Sequence, residues 1–270
     1  MSKLTIGFIG TGQMATALAS GFSRAGKVEP DQVCGFDTSS DALDRFCART
    51  GGQPAESNAQ VVEKSDLVFL AVKPQVVASL TGDLKNALQQ ASGRTIVSVM
   101  GGVPLEWLVD QLGTQQVIRT MPNTPCLIGK GATGLAAEAA VERETVEQVL
   151  DLFHCVGIAF ELPERLIDAV TGISGSGPAY VFQFIEALSD GAVCAGIPRD
   201  IAIKLAAQTV MGAGQMVLET TEHPGVLKDR VASPGGTTIA GLRALEEGGF
   251  RSAAINAVVA ATERSVELGR

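Results

Sequence analysis

The sequence predicts two domains of different class, an α/β domain over residues 1–163 and an all-helical domain over residues 164–270. Before residue 163, short β-branched runs alternate with longer segments of helical periodicity, which is typical of a parallel sheet wound with helices. After it, strand patterns vanish and apolar residues such as Tyr180, Phe184 and Leu188 recur at helical spacing. A length of 270 residues also fits two compact domains better than one.

Five strands are predicted in the α/β domain, over residues 4–9, 32–36, 67–72, 95–99 and 116–119. A helix over 142–156 and a strand over 157–162 complete it. The segment 121–125 is predicted to be a loop, because Pro122 and Pro125 deny hydrogen bonds to a ladder and to a helix alike.

Helix starts in the second domain carry proline signals. Pro178 falls in a first turn, Pro198 precedes Arg199, and Ser233-Pro234 precedes a helix predicted over 238–245.

Composition excludes several function classes. The 29 acidic residues outnumber the 21 Lys and Arg, and a net charge of −8 disfavours nucleic-acid and anionic-membrane partners, so any bound anion must be held locally. Five cysteines without a C-x-x-C pair predict reduced, mostly buried thiols rather than disulfides or zinc ligands. Two histidines leave almost no material for a metal site or a histidine triad, and no metal is predicted.

The N-terminal residues carry no signal-peptide pattern, which predicts a cytoplasmic protein. The most apolar window, residues 67–72, is far shorter than the ~20 residues of a membrane span.

A G-x-G-x-x-A motif follows the first predicted strand and opens a helix. Gly10 permits the tight turn, Gly12 lets the backbone approach a pyrophosphate, and Ala15 allows the helix to pack closely on the strand. The helix start adds N–H donors and partial positive charge. This context predicts a bound dinucleotide, and a plain glycine-rich turn is the alternative.

Asp37 ends the second strand, 25 residues after Gly12, close to the spacing of a ribose-binding carboxylate. A carboxylate there favours NAD over NADP. Alternatively, Asp37 or Ser39 only caps the next helix, since both residue types are preferred N-caps. The choice of cofactor stays open.

Chemistry on this fold is expected outside the carboxyl ends of the strands, around Lys73, Gly101-Gly102 and Asn123. Polar segments at 121–125, 174–178 and 233–238 could bind a small anion through backbone donors, or could be tight turns capped by Ser and Thr.

Taken together, the stretches FIGTGQMATALASGF, FLAVKPQVV, RTMPNTP, DAVTGISGSGPAYVFQFIEALSDG and HPGVLKDRVASPGGTTIAGLRALEEGGFR resemble the pyrroline-5-carboxylate reductase family over essentially the whole chain. The resemblance implies an N-terminal Rossmann domain and a C-terminal helical domain that interlocks with a second subunit, giving a homodimer or larger homo-oligomer. It also implies NADPH- or NADH-dependent reduction of the cyclic imine 1-pyrroline-5-carboxylate to L-proline, the last step of proline biosynthesis. A protonated imine accepts hydride without a strong general acid, in keeping with a site that has no histidine.

By this similarity, Thr238 is the first choice for contact with the ring nitrogen, with Ser233 and Lys73 as further catalytic candidates. The substrate would be bound by Glu164, Ser176, Gly235, Gly236, Thr237 and Thr238. The cofactor would be bound by Gly10, Thr11, Gly12, Gln13, Met14, Asp37, Asn58, Ala71, Val72, Lys73, Pro74 and Asn123.

Two alternatives stay open. A β-hydroxyacid dehydrogenase has a similar start and a helical second domain, but the lysine expected soon after its glycine-rich turn is missing after Gly177. A non-catalytic nucleotide-binding regulatory protein should have a disrupted 233–238 segment, and that segment is intact.

Overall fold

A computed structural model describes residues 4–91 and 93–269. Contacts divide the chain into two compact units. One holds the described residues through Ser176 and those from Ala260 onward, and the other holds Gly177–Val259. The boundary after residue 163 stays a prediction, because it follows sequence pattern whereas these units follow contacts.

The first unit is built on an eight-stranded sheet with the order β3-β2-β1-β4-β5-β6-β7-β8. Neighbouring strands are parallel except for β6 and β7, which pair antiparallel. The strands are β1 (Ile6–Ile9), β2 (Val33–Phe36), β3 (Gln53–Pro54), β4 (Leu67–Leu70), β5 (Thr95–Ser98), β6 (Val117–Met121), β7 (Gly131–Ala137) and β8 (Gly157–Glu161).

The predicted strands are all present and the parallel sheet wound with helices is confirmed, with one antiparallel pair formed by the unpredicted strand β7. Strand β7 was missed because its sequence, GATGLAA, consists mostly of small residues with low strand propensity. It forms because β6 and β8 pair with its two edges. The two-residue strand β3 carries no alternation that a sequence pattern could detect.

Eight helices belong to the first unit: α1 (Gln13–Arg24), α2 (Ser40–Thr50), α3 (Asn58–Lys64), α4 (Pro74–Val77), α5 (Thr81–Gln90), α6 (Leu105–Leu112), α7 (Arg143–His154) and α8 (Ile167–Val170). The loop predicted over 121–125 was wrong in part. Met121 ends β6, and Thr124–Ile128 forms a 3₁₀ helix in which Pro125 occupies an early position that needs no N–H donor. The loop predicted from 174 was also wrong at its start, since Thr171–Gly175 is a π-helical turn.

Both faces of the sheet are buried, which explains the unbroken apolar run of β4. Leu67 and Phe69 join the apolar cluster on one face, whereas Val68 and Leu70 join the cluster on the other. The rings of Phe8 and Phe69 stack with centroids 5.0 Å apart at the centre of the first cluster. This packing fixes the carboxyl ends of β1 and β4 beside each other.

The second unit is helical, as predicted. It contains α9 (Gly177–Cys194), α10 (Arg199–Thr220), α11 (Pro224–Val231), α12 (Thr237–Glu247) and most of α13 (Phe250–Leu268). Pro178 lies in the first turn of α9, and Pro198 directly precedes α10.

Few apolar side chains are buried in the second unit. Among its described residues only Ala202, Ala206 and Leu227 belong to the buried apolar set. Helix α10 is also the one described helix whose length and composition would let it cross a membrane, which is weak evidence, since helices of soluble proteins pass the same test. This unit has no apolar core of its own comparable to that around the sheet.

The five cysteines are free thiols, as predicted, but not mostly buried. Cys34 and Cys126 are buried, Cys47 and Cys155 are half-buried, and Cys194 is exposed. Burial raises the pKa of the Cys34 and Cys126 thiols, which keeps them protonated and unreactive.

Candidate active site

The glycine motif forms a tight turn between β1 and α1. Gly10 has a φ of +87°, and a Cβ there would lie 2.8 Å from the carbonyl oxygen of Ala71, which follows β4. Its N–H donates to the carbonyl of Phe36 at 2.9 Å. Both the backbone conformation and the close approach therefore require glycine at this position.

The start of α1 is open to a ligand. Gly12 is the N-cap residue and supplies no side-chain cap, so the first N–H groups of the helix have no intrahelical partner. A Cβ at Gly12 would meet nothing within 4 Å, and Gly12 and Gln13 are exposed, whereas Met14 is half-buried. Ala15 is fully buried against the sheet, as the motif predicts. A phosphate group fits these donors and the positive end of the helix.

Asp37 holds the glycine turn in place. Its Oδ2 accepts hydrogen bonds from the Thr11 N–H at 2.8 Å and the Thr11 hydroxyl at 3.3 Å, and its Oδ1 accepts from the Ser39 N–H at 2.9 Å. Ser39, not Asp37, caps α2, because its Oγ accepts from the Ala42 N–H. The cap of α2 is therefore supplied by Ser39, and Asp37 does not cap this helix.

A cleft opens beside this turn at the carboxyl ends of β1, β2 and β4. Gly10, Asp37, Asn58 and Val72 all line it, so four of the predicted cofactor residues meet at one place. Asn58 reaches the cleft because it is the first residue of α3, which Ser57 caps.

The chain leaves β4 through Ala71 and Val72, both half-buried, and Lys73 is the N-cap residue of α4, with Pro74 next. The Lys73 side chain is exposed and forms no ion pair or hydrogen bond with any described residue. Its ammonium group is therefore available to a ligand at this edge of the sheet.

Asn123 is buried, and its carboxamide is used within the protein. Its Nδ2 donates to the Ser174 carbonyl at 3.0 Å, and its Oδ1 accepts from the Ala132 N–H at 2.9 Å. The side chain thus joins the end of β6 to β7 and to the π-helical turn. Ser176, half-buried, follows that turn, and its N–H donates to the Thr171 carbonyl.

A buried arginine that the sequence reasoning missed organises the other half of the sheet edge. Arg119, in β6, is 3% exposed and pairs with Glu164 at 3.2 Å and Asp168 at 2.8 Å. Glu164 Oε1 also accepts from the Leu105 N–H at 2.6 Å, and Asp168 Oδ1 accepts from the Ser265 hydroxyl at 2.8 Å. The cluster ties β6, α6, α8 and the end of α13 together.

Only the apolar surroundings of Arg119 in the sequence could have signalled this cluster. A lone arginine within the strand sequence VIRTM is costly to bury and so needs carboxylates nearby. Glu164, predicted to bind substrate, has one carboxylate oxygen committed to this cluster, which leaves Oε2 for other contacts.

In the second unit, the non-helical residues ahead of α12 are 232–236, so the segment predicted over 233–238 ends inside the helix, which begins at Thr237 and not at 238. Gly235 has a φ of +68°, and a Cβ at Gly236 would lie 2.3 Å from Ser233 Oγ. Gly236 is the N-cap residue and offers no side-chain cap, so Thr237 and Thr238 open the helix with free N–H donors. Thr238 is half-buried, and its hydroxyl makes no hydrogen bond within the described part of the chain.

Within residues 4–91 and 93–269, no group of three or more His, Cys, Asp or Glu side chains is placed to hold a metal ion. His223 is an N-cap residue whose Nδ1 accepts from the Gly225 N–H.

The glycine turn, the open start of α1 and the cleft at the sheet's switch point define a Rossmann-type domain of the NAD(P)-dependent oxidoreductases. A family model described as NADP oxidoreductase, coenzyme F420-dependent, matches residues 5–102, and one described as pyrroline-5-carboxylate reductase dimerisation matches residues 164–268.

Full-length relatives carry the same family name. The chain is 46% identical to the pyrroline-5-carboxylate reductase of Methanosarcina acetivorans, and 100% of each chain is covered. Two solved structures also match, each with 100% of both chains covered. They are a pyrroline-5-carboxylate reductase from Coxiella burnetii (35% identity, TM-score 0.92) and the Plasmodium falciparum pyrroline carboxylate reductase with NADP bound (34%, 0.89). The chain belongs to the pyrroline-5-carboxylate reductase family, which confirms the resemblance.

For the dehydrogenase alternative, the comparison with solved structures shows a similarity of fold alone. The 3-hydroxyisobutyrate dehydrogenase of Mycobacterium tuberculosis is 15% identical with a TM-score of 0.50, and 70% of this chain and 66% of that one are covered.

The buried charge cluster leads to a stability prediction. Arg119→Met should lower the free energy of unfolding by about 3–5 kcal/mol, because it leaves two partly buried carboxylates without their cation. Arg143→Met is the matched control. Arg143 pairs with Glu147 and Glu161 at the exposed surface, where solvent screens the charges, so its loss should cost far less than the loss of Arg119. Urea unfolding of both variants measures the difference, and equal costs would mean that the Arg119 cluster does not stabilise the fold.

Proposed function

We propose that this protein reduces 1-pyrroline-5-carboxylate to L-proline with NADPH or NADH. The observation that carries the proposal is the uncapped start of α12 at Gly236, within the segment that most strongly resembles the family. Free helix N–H groups suit a small carboxylate such as that of the substrate. The open start of α1 suits the pyrophosphate of the cofactor in the same way.

The reaction requires little acid–base catalysis from the protein. When bound, NAD(P)H would supply a hydride to the imine carbon, so that the C=N double bond becomes a C–N single bond and its electron pair stays on the ring nitrogen. Because the imine nitrogen is already protonated, no proton has to arrive before the hydride. The protein's task is to bind, orient and exclude water.

The proposed site residues divide into those that bind the cofactor and those that bind the substrate. Gly10 and Thr11 to Met14 hold the pyrophosphate, Asp37 and Asn58 contact the adenosine end, and Ala71 to Pro74 and Asn123 lie at the nicotinamide end. In the second unit, Gly235 to Thr237 are assigned to the substrate carboxylate and Thr238 to the ring nitrogen, with Ser233 as a further catalytic candidate. In the first unit, Glu164 and Ser176 are assigned to substrate binding, and Lys73 is a further catalytic candidate. The turn's steric room supports the cofactor assignment, because a Cβ at Gly12 would meet no protein atom.

A homodimer formed through the helical unit is part of the proposal, and a larger homo-oligomer built from such dimers would be compatible with it. Val181, Leu188, Ile255 and Val259 all lie exposed in the single chain, and Phe182 is 65% exposed. A bundle with its own core would bury such residues. A second copy of the same unit offers matching apolar surface. Cytoplasmic location stays a prediction.

The activity test is direct. The purified protein should oxidise NADPH or NADH in the presence of 1-pyrroline-5-carboxylate and yield L-proline, measured by absorbance at the nicotinamide band and by amino-acid analysis. Ketoacids that would yield 2-hydroxyacids serve as controls and should give no oxidation. Cofactor binding without proline formation would favour the non-catalytic alternative instead.

Thr238 is predicted to act on the substrate rather than as a helix cap, since Gly236 already holds the cap position. Thr238→Ala should lower kcat/KM for the imine by roughly ten- to a hundred-fold, corresponding to ~1.4–2.7 kcal/mol of transition-state stabilisation. The Tm and the cofactor Kd should not change. Thr238→Ser, which keeps a hydroxyl, should recover most of the rate. A lower Tm with wild-type turnover of the folded fraction would refute the role.

Asp37 is predicted to disfavour the 2′-phosphate of NADPH through its charge. Asp37→Ser should raise the ratio of kcat/KM for NADPH over NADH, and Asp37→Asn should do so too while keeping an acceptor for the Thr11 N–H. Ser39→Ala removes the cap of α2 and is the control. It should cost about 1 kcal/mol of stability and leave the cofactor ratio unchanged. An unchanged ratio in both Asp37 variants would mean that Asp37 serves only the turn.

Light scattering at micromolar concentration should give the mass of a dimer or of a multiple of it. Phe182→Glu and Val259→Glu place charges on the exposed apolar surface and should shift the mass towards the monomer. Glu263→Gln, on the same helix as Val259 but polar, is the control and should leave the mass unchanged. A wild-type monomer would contradict the proposal.

A further inference from the structure

A cavity of about 340 Å³ lies along α1 and the end of α2. Ser20, Ser23 and Arg24 line it from α1, and Arg49 and Thr50 line it from α2. It shares no lining residue with the cleft beside the glycine turn. No Asp or Glu lines it, although the chain as a whole carries a net charge of −8. The cavity is therefore a locally cationic place in an acidic protein.

Its two guanidinium groups lack anionic partners. Arg24 and Arg49 are exposed and form no ion pair or hydrogen bond with any residue in the described part of the chain, whereas most other described arginines pair with carboxylates. Two like charges that share one cavity repel each other, and a bound anion would relieve that repulsion.

Two hydroxyl groups add donors on the same side. Ser20, Ser23 and Arg24 stand at i, i+3 and i+4 along α1, which places them on one face of the helix. Ser23 Oγ is buried and has no hydrogen-bond partner, and Ser20 Oγ makes no hydrogen bond with the described residues. A buried hydroxyl without a partner is uncommon in a folded protein and calls for a ligand or water.

The Thr50 hydroxyl, which α2 contributes to the cavity, is already hydrogen-bonded within the protein. Thr50 Oγ1 donates to the Phe46 carbonyl at 2.8 Å, so it cannot donate to a ligand. The free groups of the cavity are thus the two guanidinium groups and the Ser20 hydroxyl, with the buried, unpaired Ser23 hydroxyl beside them.

We propose that this cavity binds the dianion of inorganic phosphate or of a phosphate monoester. Two guanidinium groups match a charge near −2, and their paired N–H groups fit the oxygens of a phosphate in bidentate fashion. A single carboxylate would neutralise only one of them. Bound there, the phosphate joins α1 to α2 through contacts that the protein alone does not make.

Calorimetric titration with inorganic phosphate at constant ionic strength, set with chloride, tests the site. The wild type should bind phosphate, and the double variant Arg24→Gln, Arg49→Gln should lose about ten-fold or more of that affinity. Phosphate at the start of α1, where the cofactor is proposed to bind, is common to both proteins. The difference between them therefore reports the cavity alone, whether or not the protein reduces the proposed imine.

The double variant Arg45→Gln, Arg165→Gln is the charge-matched control. Both residues are exposed, neither lines the cavity, and neither forms an ion pair with a described residue. It should bind phosphate like the wild type. Ser23→Ala should weaken binding by a few-fold while leaving the fold intact, because the hydroxyl has no partner within the protein. Equal phosphate affinity in the wild type and the Arg24, Arg49 variant, or an equal loss in the control, would overturn the proposal.

Discussion

The close approach of three strand ends at Gly10 is the constraint on which the rest of the first unit depends. The Gly10 N–H binds the end of β2 at Phe36, and the missing Cβ lets the backbone after β4 pass at Ala71. Because the chain turns here with a positive φ, α1 begins close to the strand edge and its first N–H groups face outward. Asp37 then fixes the turn from the side by accepting from Thr11. The cleft is what remains open between these elements.

The buried Arg119 cluster fixes the neighbouring part of the same edge by different means. The strand ends approach each other at Gly10 because glycine has no side chain, whereas the Arg119 cluster is held together by charge. One guanidinium joins two carboxylates, and these accept further hydrogen bonds from Leu105 and Ser265. The loop that follows β5 is therefore held at its far end, because Leu105, the first residue of α6, donates to Glu164 in this cluster. The side chain of Asn123 adds a further link at this edge by joining β7 to the π-helical turn.

Much of this arrangement could be predicted from the sequence, and the reasons for the rest are physical. Strands such as β4 can be recognised from their apolar, β-branched runs. The glycine turn can be recognised from the G-x-G-x-x-A spacing at the start of a helix. Strand β7 could not be found, since its small residues become a strand only through pairing on both edges. The cluster was missed because Arg119 meets Glu164 and Asp168 across more than 40 residues of chain, and no local pattern records such a pairing. Asp37 was located correctly, but its bond to Thr11 depends on the turn's geometry.

Glu164 is a structural residue of the Arg119 cluster and, in the proposed function, also a substrate-binding residue. Its Oε1 accepts from both Arg119 and Leu105, so rotating the carboxylate toward a substrate would break two bonds, one of them charged. Any contact with a substrate must therefore use Oε2 and leave the carboxylate in place. A group held this firmly suits hydride transfer, which needs a fixed geometry at the imine more than it needs a mobile acid or base. In the proposed function, the cluster that stabilises the sheet edge would therefore favour orientation of the substrate over proton transfer to it.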